Sequence, residues 1–89
     1  MDSMNVLKLY QNKEQAKSAL IEFSKDNPLA KINGYSCYAD YDCGLRIYFR
    51  GGSVLDEVYN LAGMCFVSVD FCGVFPDEVK SYIKSRVRW

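Results

Sequence analysis

Between two runs of alternating apolar and polar residues, Tyr35 to Asp42 and Leu45 to Arg50, lies the triplet Asp42-Cys43-Gly44. A type I turn that closes on a glycine in the left-handed region makes a three-residue hairpin loop, and a loop of fixed length fixes the register of its strands. That register predicts Tyr41 opposite Leu45, Ala39 opposite Ile47 and Cys37 opposite Phe49 on one face. The other face then sets Asp40 against Arg46, Tyr38 against Tyr48 and Ser36 against Arg50. One face is apolar; the other pairs opposite charges and stacks aromatics, as cross-strand neighbours do.

Elements flank this hairpin on both sides. Met4 to Tyr10 reads as a first strand. Asn12 starts a helix with Gln15 three residues later in a capping-box spacing, and Ala16, Ala19, Leu20 and Phe23 fall on one helical stripe. Pro28 excludes the helical region for Asn27, which ends the helix near Asp26. After Gly51-Gly52, Ser53 is a suitable cap for a short helix carrying Val54, Leu55, Val58 and Leu61, stopped by Gly63. Met64 to Cys72 reads as a strand in which Cys65, Val67, Val69 and Phe71 alternate with Phe66, Ser68 and Asp70. Pro76 opens a final helix at its first position, with Val79, Tyr82, Ile83 and Val87 as its buried stripe.

The expected order is therefore βαββαβα within one α+β domain spanning residues 1–89. That order predicts a four-stranded antiparallel sheet in the ferredoxin-like arrangement, with an added carboxy-terminal helix. The pattern is one of topology and carries little functional information. Helices on one face would leave the other to display Tyr38, Arg46, Tyr48, Arg50 and Phe66, with Lys8 and Tyr10 beside them.

Composition narrows the chemistry. Among 89 residues there is no His, which removes imidazole catalysis and imidazole-ligated metals. Eleven cations balance eleven acids, but unevenly: residues 1–39 carry +1, residues 40–78 carry −5 and residues 79–89 carry +4. The basic end, Lys80, Lys84, Arg86 and Arg88 with Trp89, forms a secondary candidate patch, although cations there also complement the helix dipole. Neutrality argues against generic nucleic-acid binding, which needs a basic excess. Cys37, Cys43, Cys65 and Cys72 contain no C-x-x-C pair, so they read as small buried thiols. Gly51-Gly52-Ser53 is too short for a phosphate loop and has no following Lys. The amino terminus lacks a signal peptide's pattern, so the expected setting is the cytoplasm, with no membrane partner.

These observations predict a small non-enzymatic protein-binding module with no cofactor and no metal. Its expected role is that of an inhibitor or adaptor, of the phage or mobile-element type that blocks a host defence machine. The contact residues would be Tyr38, Arg46, Tyr48, Arg50 and Phe66, since Tyr and Arg are enriched where proteins meet. A homodimer through an open face or an unpaired edge strand is a further arrangement of the same kind. Two alternatives belong to other classes. One is a single-stranded nucleic-acid binder that stacks bases on the sheet face, although Leu45 and Ile47 stand where RNA-recognition domains carry aromatics. The other is a thiol-based redox or metal protein using the four cysteines.

Overall fold

Seven strand residues, Met4–Tyr10, form the centre of the molecule as β1, and Leu7 and Leu9 within them are completely buried. The structure, a computed structural model, describes residues 4–61 and 64–85. After β1 come α1 (Lys13–Asp26), β2 (Lys31–Asn33), β3 (Tyr38–Asp40) and β4 (Leu45–Gly51). Then follow α2 (Leu55–Val58), a 3-10 turn (Tyr59–Leu61), β5 (Ser68–Cys72) and α3 (Asp77–Lys84). The strands make one mixed sheet in the order β2-β3-β4-β1-β5.

The predicted hairpin register is present. Asp40 pairs with Arg46, Ala39 with Ile47 and Tyr38 with Tyr48. Gly44 takes φ 93°, and the loop closes through Gly44 N–H to Tyr41 O at 3.1 Å and Tyr41 N–H to Leu45 O at 2.9 Å. The pairing stops sooner than expected, because Cys37 adopts a left-handed φ of 56° and turns the chain out of the strand. Phe49 N–H still reaches Cys37 O at 2.9 Å, but no strand pairing sets Ser36 against Arg50.

The four-stranded antiparallel sheet is corrected to five mixed strands, and the cause is β2. Only three residues long, it pairs antiparallel with β3, Lys31 beside Asp40 and Asn33 beside Tyr38. The extra reversal changes the direction of every later strand, so β4 runs parallel to β1, and so does β5. From β1 the chain crosses toward the β4 side, and from β4 it crosses back over β1 to β5. Right-handed crossovers in opposite lateral directions lie on opposite faces of a sheet. Accordingly, α1 packs Ala16 and Leu20 against Ala39 and Phe49 on one face. On the other, α2 and α3 pack Val58, Val79 and Ile83 against Leu7, Leu9 and Phe66. The expected open face does not exist as a four-stranded platform.

Local signals explain most of the helices. Asn12 caps α1 by accepting from Gln15 N–H at 2.8 Å, and the expected stripe of Ala16, Ala19, Leu20 and Phe23 faces the core. At α3, Pro76 is the residue before the first helical one, with Val79 and Ile83 fully buried; Val87 lies outside the described residues. Ser53 is not the side-chain cap of α2. Val54 occupies that position, and Ser53 N–H instead donates to Glu57 Oε1 at 3.2 Å.

A close approach locks α1 to β4. A Cβ on Gly51 would stand 2.2 Å from the carbonyl carbon of Asn12 and 2.4 Å from Lys13 N, both backbone atoms that have nowhere to move. Gly34, by contrast, has nothing within 4 Å of a Cβ. Gly51→Ala is expected to destabilise the fold by about 3 kcal/mol through overpacking, and Gly34→Ala by less than about 0.5 kcal/mol, read by urea denaturation. A second expectation concerns Tyr10, whose phenol is pushed up to about 12 by burial, by its hydrogen bond with Cys72 and by the charge of Asp70. Between the ordinary phenol value of 10 and that raised value, the unfolded chain loses this proton while the folded chain keeps it. Stability contributed below pH 10 is therefore lost as pH rises toward 12. Absorbance titration should show a tyrosine step near pH 12, and Tyr10→Phe should remove that step.

Candidate functional site

Along β4, Arg46, Tyr48 and Arg50 are alternate residues and share one face, and the hairpin register sets Tyr38 and Asp40 beside them. The result is a ladder of cations and rings. The Arg46 guanidinium lies 4.1 Å from the centroid of the Tyr38 ring and 3.1 Å from Asp40 Oδ2. Its Nη1 donates to Tyr48 Oη at 3.5 Å. Asp40, and then Tyr48, hold the guanidinium proton above its ordinary value. Tyr38 and Tyr48 rings are 5.7 Å apart and tilted, and the Arg50 guanidinium lies over the Tyr48 ring at 5.4 Å.

The ladder is held in place more than it holds the fold. Arg46 and Asp40 side chains keep about a third of their surface in water (35% and 34%), where an ion pair is worth at most about 1 kcal/mol. Tyr48 is anchored from behind by an edge-on contact with Phe66 at 6.1 Å. A shallow groove of about 350 Å³ runs beside Arg46, lined by Asp40, Tyr41, Asp42 and Asn5. Asn5 was not singled out from sequence. It arrives there because β1 and β4 are parallel with Asn5 beside Arg46, a pairing that local patterns do not reveal.

The predicted residues do not all reach the surface. Phe66 is a correction: it meets Tyr48, but it is fully buried in the core beneath α2 and α3 and offers no contact to a partner. Alternation read through Met64 to Cys72 put Val67 inside, but Val67 is 46% exposed and regular pairing begins only at Ser68. The chain is irregular just before β5, and the one-residue offset exchanges the faces of Phe66 and Val67. Arg50 lies at the far end of the ladder and also lines a separate cleft. Lys80 is partly buried and Lys84 exposed on α3, while Arg86, Arg88 and Trp89 lie outside the described residues.

The cysteines are corrected as well. None is fully buried: Cys43 and Cys65 are exposed, Cys37 and Cys72 intermediate. Cys43 occupies a hairpin loop tip and Cys65 the irregular approach to β5, positions outside the core by topology. Among the described residues no group of three or more His, Cys, Asp or Glu is placed to hold a metal ion. Nor is any described helix long and apolar enough to cross a membrane. Compared with protein-family models, with curated proteins and with solved structures, the chain matches none. Titration of the native protein with an aromatic disulfide should show two fast thiols, Cys43 and Cys65, ahead of Cys37 and Cys72. Substituting Cys43 and Cys65 by Ser should remove the fast phase.

Proposed function

We propose that this chain is a small non-enzymatic binding module that acts in the cytoplasm by occupying the surface of a protein partner, as an inhibitor or adaptor. One observation carries the reading: the Tyr38–Arg46–Tyr48 ladder is ordered by its own contacts before any partner arrives. Ordering a long Arg side chain at an interface ordinarily costs about 0.5 to 1.5 kcal/mol, and a stacked, ion-paired Arg46 has met that cost in advance. Tyr and Arg in such a state are the residue types that dominate binding energy at protein interfaces. The groove beside them, with Asp40, Asp42 and Asn5, offers hydrogen bonds to a polar partner loop. A chain of this size and surface fits the accessory proteins that phage and mobile elements direct at host defence machinery.

The observations favour this reading over base stacking, because α2 and α3 cover the part of the sheet that would receive successive bases. Self-association through the free edge of β5 is the competing arrangement within the same class. Affinity capture from native host cells, followed by binding measurements with purified partner, tests the proposal. Tyr38→Ala and Arg46→Ala should each weaken binding by about tenfold or more with the fold intact. Lys80→Gln with Lys84→Gln should leave it unchanged. Full binding by both ladder variants would sink the assignment, and a dimer in sedimentation that they abolish would make the partner a second copy of the chain.

A further inference from the structure

The reversal of strand direction caused by β2 has a chemical consequence at the opposite end of β4 from the groove. β1 and β4 are adjacent and parallel, so their carboxyl ends lie side by side. From these ends the chain departs to opposite faces, into α1 after β1 and into α2 after β4. Where connections diverge in this way an open sheet leaves a crevice at the strand ends, the place where α/β sheets commonly bind ligands. A cleft of about 220 Å³ is present there.

Its lining has two parts. Tyr35, exposed, and Cys37, half-buried, supply its accessible apolar surface, above a floor closed by buried Leu9, Val58 and Leu61. Lys13 and Lys17, one turn apart on α1, and Arg50 at the end of β4 supply three positive charges against the single carboxylate of Glu57. None of the three cations belongs to an ion pair among the described residues; those pairs engage Lys25, Lys31 and Arg46 instead. Arg50 Nε is buried and has no hydrogen-bond partner, and the Arg50 side chain as a whole is half-buried at the rim of the cleft, with no carboxylate paired to it among the described residues. Close packing of Gly51 beneath the Asn12–Lys13 peptide holds the start of α1 against the end of β4, so the cations of the two elements share one site.

We infer that this cleft binds a small phosphomonoester, its phosphate held by Lys13, Lys17 and Arg50 and its organic part laid against Tyr35 and Cys37. An excess of two positive charges matches a phosphate dianion, and a guanidinium presents paired donors suited to its oxygens. The volume falls below the roughly 300 to 1,000 Å³ of pockets for larger ligands, so the ester is small. This is not a phosphate loop: Gly51-Gly52-Ser53 contributes close packing, and the charge comes from α1 and from Arg50. The site is independent of the ladder's partner, because it uses neither Tyr38 nor Arg46.

Phenyl phosphate is the probe, titrated into nitrogen-15-labelled protein and followed by amide shifts, with inorganic phosphate and phenol in parallel. Saturable shifts are expected at the amides of residues 13–17 and 49–52, with phenyl phosphate binding at least about fivefold tighter than inorganic phosphate, because its ring adds apolar contact. Phenol should produce none. Arg50→Gln, and the double change Lys13→Gln with Lys17→Gln, should each weaken phenyl phosphate by about tenfold or more, whereas Lys25→Gln should not. If Arg50→Gln fails to fold, the lysine pair decides alone, since both positions are exposed. A phosphotyrosine peptide that binds tighter than phenyl phosphate assigns the ester to a phosphorylated side chain, and weaker binding assigns it to a free molecule; both support the site. Absence of saturation, shifts scattered over other lysines, or unchanged affinity in the lysine pair would overturn it.

Discussion

Two antiparallel reversals, β2 to β3 and β3 to β4, separate the chain's return from α1 and its re-entry beside β1. Two reversals restore the original direction, so β4 must lie parallel to β1. Every larger feature depends on that parity. One reversal fewer would make the central pairing antiparallel, put both helical crossovers on one face and leave the other bare. With the parity as it stands, each face receives its own helices, and β4 serves two cores at once, Tyr48 toward one and Phe49 toward the other. β1 becomes the most enclosed strand, bordered by parallel neighbours, and its Leu7 and Leu9 have no contact with water.

Local chemistry was legible in the sequence wherever a few neighbouring residues decide the outcome. Asp42-Cys43-Gly44 sets a hairpin register by itself, and Asn12, Pro28 and the stripe from Ala16 to Phe23 bound and orient α1 without reference to the rest of the chain. What stayed hidden was non-local. Lys31–Asn33 is too short for a period of two to repeat, so nothing in it announces a strand; its pairing with β3 makes it one. That single omission propagated, because an uncounted strand inverts the polarity of all that follows. Phe66 was misplaced for a related reason: alternation is informative only while the chain stays pleated, and the pleat starts at Ser68.

The candidate surface shows the same division. Its cross-strand pairs, Asp40 with Arg46 and Tyr38 with Tyr48, were readable because the turn fixes them. Asn5 beside Arg46, and the gathering of Lys13 and Lys17 with Arg50, depend on a parallel pairing between residues far apart in sequence. The sign of charge by segment gave no warning either. Arg50 belongs to the acidic middle of the chain and the lysines to a nearly neutral first third, yet the fold unites them.

Both proposed surfaces lie on β4, at opposite ends, and Tyr48 is the side chain that touches the chemistry of each. It accepts from Arg46 at 3.5 Å and carries Arg50 over its ring at 5.4 Å, with Phe66 behind it. Removing its ring would loosen both guanidiniums and open space beside the core, at a cost below the roughly 3 to 5 kcal/mol of a fully buried aromatic, because Tyr48 is only partly buried. A loss of binding in such a variant would identify neither surface. Tyr38 and Arg46 at one end, and Lys13 and Lys17 at the other, are half-exposed or exposed and share no partner. Substitutions at well-separated positions without common contacts act additively. The two ends of β4 can therefore be altered one at a time, and a protein partner and a phosphomonoester can each be lost without the other.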